Sequence, residues 1–191
     1  MKALFDPAYQ RYPSQRYPIY ARGGMVNASS PQAAAAGLEI LRRGGNAMDA
    51  AVAAAAALTV VEPTANGIGS DAFALVWVER EQKLYGLNSS GPAPMAWAEL
   101  AGRFGRLPLS QSLAPAVVYA REGYPCAPNL ALMWRRAFEK YRETCTGEVF
   151  DEWYSTFAPE GRPYEAGEII RLPHHADTLE AIGETNAAAF Y

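Results

Sequence analysis

The sequence predicts an α+β fold, and three observations predict it. Alanine-rich segments with helical start and stop signals fill residues 31–61. Two runs of β-formers, "FALVWVE" (73–79) and "KLYGLN" (83–88), follow at once, and the chain then returns to mostly helical patterning. With 191 residues, 50% of them hydrophobic, there is enough apolar side chain for a substantial core in one domain or part of one.

Taken in order, "MKALFDPAYQRYPSQRYPIY" opens with a near-repeat, "QRYPSQRYP", that predicts an extended Tyr/Pro arm over residues 1–22. Residues 25–28 suit a short strand. Ser29 and Ser30 offer N-caps before Pro31, and Ser29 to Gln32 has capping-box spacing. The helix expected over 31–43 puts Ala34, Leu38 and Leu41 on one face and pairs Glu39 with Arg43 one turn apart. Gly44 stops it. Asn46 caps a second helix, with Asp49 at the positive end of its dipole. The stretch "AAVAAAAALTVV" carries alanine all round, so this helix is expected to be buried on several sides. The two helices form a tight antiparallel hairpin that serves as scaffold.

Between the two β runs, "REQ" makes the turn. Residues 113–122 read as a short helix closed by Gly123. Residues 128–143 read as an amphipathic helix with Leu130, Met133, Trp134, Ala137, Phe138 and Tyr141 on one stripe. The pattern breaks into loop over 146–167, "EIIRL" (168–172) suggests a strand, and a last helix begins near Asp177. That helix stops at "AAAFY" without a cap or polar tail, so the expectation is a chain cut short of its natural domain end.

Charge and motifs narrow the function classes. Seventeen basic and twenty acidic side chains give a formal charge of −3, no footprint for DNA or an acidic membrane. The N-terminus lacks the apolar stretch of a secretory signal, and Ala50 to Val61 is too short to cross a bilayer, so a soluble, cytoplasmic protein is expected. Cys126 and Cys145 make no CxxC and read as buried or inert thiols. His174 and His175, the two histidines, read as loop residues before the last helix rather than as metal ligands. There is no Gly-x-Ser-x-Gly elbow and no evident acid/base pair.

Gly67, Gly69 and Ala72 make a Gly-x-Gly-x-x-Ala run, but in the wrong context for a dinucleotide. A helix leads in and a strand leads out, so no helix N-terminus is left to hold a pyrophosphate. The glycines are expected instead to allow positive φ and close backbone contact where the chain turns into a sheet.

From Gly24 to Trp77 the order is Gly-Met-Val, a helix ending Gly-Gly-Asn-Ala-x-Asp-Ala, an Ala-rich helix, Val-Glu-Pro, Gly-Ile-Gly and a hydrophobic strand. This order resembles the N-terminal part of the gamma-glutamyltransferase family. The likeness covers residues 24–78 almost continuously and resumes at "LAPAVVYAREGYP" (113–125) and "DTLEAIGETNAAAFY" (177–191). The Gly-Ile-Gly-Ser-Asp version with a Tyr/Pro-rich arm resembles the bacterial branch that includes gamma-glutamyltransferase-like and cephalosporin-acylase-like proteins.

The resemblance implies an N-terminal-nucleophile (Ntn) hydrolase with an αββα sandwich, present here only as the N-terminal portion of the large subunit. On that reading 1–22 is the arm, 23–94 the helical hairpin and core strands, and 95–191 a mostly helical portion. The family's precursor cleaves itself, and the new N-terminal threonine of the small subunit attacks a γ-glutamyl amide. The acyl group then passes to water or an amino acid, and the freed α-amine can act as base for its own hydroxyl. The nucleophile and oxyanion hole are expected downstream of Tyr191, so these residues contain no catalytic group. The implied partners are the small subunit of the same precursor and a small-molecule amide, with no nucleic acid, membrane, metal or cofactor; oligomeric state stays open.

One substrate-binding position of the family falls within the chain. An arginine four residues before the Pro of an "Arg-Glu-x-Ala-Pro" stretch grips the substrate's α-carboxylate, a task suited to a bidentate guanidinium. Aligned on Ala93-Pro94, this chain reads "NSSGPAP" and has Ser90 there. Either another arginine takes over or the substrate is not a γ-glutamyl donor. The chain also runs straight from Ala93-Pro94 into a "Trp-x-x-Leu-x-x-x-Phe-Gly"-like helix, without the family's intervening loop; an omitted loop and a genuine deletion both fit. The alternative function is a catalytically inactive scaffold or binding module that keeps the fold. A third, a helical interaction domain, requires that residues 72–88 not form strands.

Overall fold

The structure, a computed structural model, describes residues 18–191. The arm expected over 1–22 lies outside the described residues as far as 17; Pro18 to Arg22 is exposed and forms neither helix nor strand. The strand expected at 25–28 is absent. Among the described residues no strand lies beside it to accept its hydrogen bonds, and Val26 instead packs on the first helix, where a Cβ added to Gly37 would come within 2.8 Å of its Cγ1.

That helix, α1, spans Pro31–Arg42, with Pro31 at the first helical position. The serines do not cap it. Ser29 Oγ donates to Glu62 Oε2 at 2.6 Å, and Ser30 Oγ donates to Gln32 Oε1 at 2.8 Å, which consumes the side chain a capping box needs. The buried face is Ala33, Ala36, Gly37 and Ile40, not Ala34, Leu38 and Leu41; Leu38 is exposed. Proximity decides this: a Cβ at Gly37 would sit 2.8 Å from the Ala50 carbonyl oxygen, so only the smallest residues fit against the next helix. Glu39 and Arg43 pair as expected. At the C-terminus Gly44 takes φ +95°, its N–H donates to Leu41 O and that of Gly45 to Ile40 O, the paired bonds of a Schellman motif.

Helix α2, Ala47–Val61, is capped as the sequence predicts. Asn46 Oδ1 accepts from the N–H groups of Met48 (2.8 Å) and Asp49 (3.2 Å), and Asp49 Oδ2 accepts from Asn46 N–H (2.8 Å). Fully buried, Asp49 also accepts from the backbone N–H of Arg106 at 2.9 Å and of Leu107 at 3.4 Å, so one carboxylate closes a helix and anchors a distant loop. At the other end, the Val60 carbonyl, an orphan of the last turn, accepts from the buried Tyr124 hydroxyl at 2.6 Å.

The strands follow. β1 (Ala72–Val78) and β2 (Lys83–Ser89) pair antiparallel, Ala72 opposite Ser89 and Val78 opposite Lys83. The turn between them is a short 3-10 segment, Glu79–Glu81, closed by Gln82 at φ +48°. Ala72, Ala74, Val76 and Leu87 face the core; Phe73, Leu75, Trp77 and Leu84 face outward. The expected φ > 0 at Gly67 and Gly69 is not found. Their stretch is built from ordinary turns (Ala65 N–H to Glu62 O, Ser70 N–H to Gly67 O), and a Cβ at Gly67 would meet nothing within 4 Å.

Helix α3 (Ala93–Phe104) lies beside β2, and α4 (Leu109–Glu122) packs on α2 and also touches α1, where the Tyr119 hydroxyl donates to Gln32 O at 3.3 Å. The helix expected from 113 starts four residues earlier and continues through Pro115, which withdraws one backbone donor without ending it. Gly123, φ +98°, closes it as expected. Tyr124–Pro125 (β3) pairs antiparallel with Ile169–Ile170 (β4), which shortens the expected 168–172 strand because Pro173 begins the last helix. Helix α5 (Pro128–Thr144) buries Leu130, Ala131, Trp134 and Phe138, whereas Met133 is 52% exposed. The segment expected as loop contains a 3-10 turn (Glu148–Phe150) and a short helix, α6 (Asp151–Phe157). Aromatic edges hold it: Trp153 meets Tyr141 at 5.0 Å and Phe157 meets Trp134 at 5.9 Å. Helix α7 (Pro173–Thr185) covers α4, and its start at Pro173 moves His174 and His175 from the expected loop into a first helical turn.

The α+β class stands, with helices on one face of the β1–β2 hairpin. Asp49→Ala in the intact protein is expected to cost about 2 kcal/mol, because it leaves three half-buried N–H groups without their acceptor; urea denaturation measures it. Gly37→Ala gains about 1 kcal/mol of helix propensity but forces a methyl against the Ala50 carbonyl. A net loss of about 1–2 kcal/mol is expected, read as a lower melting temperature.

Candidate functional site

Ser90 sits in the three-residue turn from β2 to α3. Gly91 makes the turn at φ +107°, Ser89 Oγ donates to Pro92 O at 3.0 Å, and Ala93 N–H donates to Ser70 O at 3.1 Å. This last bond ties the turn to the loop that leaves α2. Ser90 is exposed, and its hydroxyl lies 3.5 Å from Asp71 Oδ1, the last residue before β1. The polypeptide is continuous here, and Ala93-Pro94 is itself the first turn of α3.

Asp71 lines a cleft of about 440 Å³ between α2 and β1. Val52, Ala55, Leu58 and Trp97 give it an apolar wall; Asn66, Ser70 and Asp71 give it a polar mouth. A larger cleft of about 600 Å³ shares Met48, Ala51 and Leu75 with it and continues along β1 to Arg80, bordered by Arg103 and Arg106. Ser90 does not line the smaller one; it stands outside the mouth, in contact with Asp71. Asp71 escaped the reading of the sequence as a site residue. The signal was the Ser-Asp that completes Gly-Ile-Gly-Ser-Asp, but only the fold brings it to Ser90, 19 residues on.

Chemically, this arrangement can position and select, and it holds no nucleophile with a base. Among the described residues no three His, Cys, Asp or Glu side chains cluster as for a metal ion, and no helix is long and apolar enough to cross a membrane. Burial, then the neighbouring His174, pushes the His175 pKa below its ordinary value, and its ring stands edge-on to Phe157 at 5.8 Å. Burial, then the Glu168 carboxylate, raises the Cys126 thiol to about 11, so it is a core side chain rather than a reactive one. Glu168 itself is held at about 2 by Arg162 and by the Glu165 N–H, in a solvent-exposed cluster with Glu160.

Comparison with known proteins places this geometry. The sequence model of the gamma-glutamyltranspeptidase family matches residues 33–99 and 94–191, two segments that overlap where β2 has just turned into α3. The break between the two matched segments falls where the sequence runs straight from Ala93-Pro94 into the Trp97 helix. Human glutathione hydrolase 7 is 31% identical over 91% of the chain and 29% of its own length. The capsule biosynthesis protein CapD proenzyme of Bacillus anthracis is 31% identical over 87% of the chain and 33% of its own length. The chain thus spans a third or less of these relatives. Among solved structures, a cephalosporin acylase from Bacillus halodurans superposes with a TM-score of 0.90 at 47% identity, over 99% of this chain and 41% of that one. The gamma-glutamyltranspeptidase of Helicobacter pylori, at 24% identity, shares the fold with a TM-score of 0.81 over 91% of this chain and 58% of that one. The two-segment match and these shared folds lead to one conclusion: the chain belongs to the gamma-glutamyltranspeptidase family of Ntn hydrolases.

Proposed function

We propose that this chain is the first part of the large subunit of a self-processing amidohydrolase or transferase. The intact enzyme cleaves a γ-glutamyl or related amide through an acyl-enzyme and passes the acyl group to water or an amino acid. The observation that carries this reading is the outer face of the β1–β2 hairpin. Phe73 (65% exposed), Leu75 (79%), Trp77 (53%) and Leu84 (57%) form a contiguous apolar surface on one side of the sheet. A self-sufficient scaffold module does not leave such a face in water. A second sheet stacked on it, contributed by the remainder of the precursor and its small subunit, buries it and supplies the second β layer of the sandwich. The word proenzyme in the name of the Bacillus anthracis relative supports a precursor that is cut. Residues 23–94 then form core and 95–191 the helical flank, and Ser90 borders the acyl pocket. The third reading, a purely helical domain, falls with the hairpin.

The full-length precursor, purified and left to stand, is expected to split into two fragments that stay associated, the smaller beginning with threonine. Mass spectrometry reads the new terminus. A single uncut chain that cleaves no amide leaves the inactive-scaffold reading in its place.

A further inference from the structure

We propose that Asp71 sets the acyl-group preference of this enzyme, favouring an acyl chain that ends in an ammonium group and rejecting one that ends in a carboxylate. The inference rests on the amide-cleaving reading above and gives it a substrate class. Where the resemblance implies a guanidinium, this chain has the neutral Ser90, and the side-chain oxygen beside its hydroxyl is a carboxylate, 3.5 Å away. Asp71 is held in place from both sides along the backbone. Ser70 is pinned through its carbonyl to Ala93 N–H and through its hydroxyl to Gly67 O, and Ala72 is paired with Ser89.

The cleft beyond is apolar, and among the described residues its lining holds no Lys, Arg or His; Asp71 is its sole ionisable side chain. The sign of the charge at the pocket mouth is thus reversed. An acyl terminus carrying a carboxylate meets like charge at the edge of a low-dielectric wall, whereas an ammonium finds an acceptor and a neutral chain pays neither. Asp71 is partly screened by water, so each effect is modest, about fivefold in rate for about 1 kcal/mol.

Three p-nitroanilides of equal chain length separate the charges in the full-length processed enzyme: 4-aminobutyryl, pentanoyl and glutaryl. The expected order of kcat/KM is 4-aminobutyryl over pentanoyl over glutaryl, with the first exceeding the last by about tenfold or more at low salt. The ratio narrows in about 0.5 M salt, because screening shortens the reach of an exposed charge. Asp71→Asn collapses the ratio toward one, and Asp71→Glu, which keeps the charge, retains most of it. A processed enzyme that cleaves glutaryl as fast as 4-aminobutyryl, or a ratio that Asp71→Asn leaves unchanged, overturns the assignment while the enzyme reading stands. A precursor that neither splits nor cleaves any of the three overturns both.

Discussion

A helix with eight alanines among its fifteen residues can be packed on several sides only if both of its polar ends are closed, and that constraint governs the rest of this structure. Helix α2 buries Ala50, Ala53, Ala54, Ala56 and Ala57 together with three valines, with α1 and α4 both packed on it. Small side chains bring backbones into contact but contribute little hydrophobic area each, so the stabilisation comes from many close contacts at once. The Asn46–Asp49 box closes the first end while the same carboxylate takes the Arg106 and Leu107 amides; the Tyr124 hydroxyl reaches the Val60 carbonyl at the second. Burial raises the Tyr124 phenol far above its ordinary range, which keeps the donor proton on its oxygen at neutral pH.

Whatever a few neighbouring residues decide was legible in the sequence. Asn46 and Asp49 lie three apart, Gly44 and Gly45 follow one helix directly, and the two β runs are separated by a turn; each was placed to within a residue or two. What depended on distant partners was not. The buried face of α1 was misplaced because hydrophobicity favours Leu38 and Leu41, whereas proximity to Ala50 favours Gly37 and Ala36. Pro115 and Pro173 misled in opposite ways: the first sits inside a helix, the second starts one where loop was expected. Helix α6 has seven residues and no periodicity of its own; aromatic contacts with α5 hold it, and no local pattern encodes them.

The glycines make the same distinction at the candidate site. Gly67 and Gly69, which look like the conformational hinge, adopt no left-handed backbone, while Gly91, unremarkable in the sequence, does so at φ +107°. It is Gly91 that lets β2 pass into α3 within three residues, and this short passage brings Ser90 to Asp71. The break between the two segments matched by the family model lies at the same place, in the first turns of α3.

The hairpin shows why helices alone do not complete this fold. Along "AFALVWV" both faces are apolar, but not equally: Ala72, Ala74 and Val76 point at the helices, Phe73, Leu75 and Trp77 away from them. A sheet meant to meet water on one side alternates apolar with polar residues; one covered on both sides does not. The division of sizes says more. The inner residues are small because α2 already brings its backbone close, and the outer ones are large because what covers them stands at the roughly 10 Å spacing of stacked sheets, which long side chains must fill. The side of this strand that carries its largest apolar residues is therefore the side turned away from the helical core.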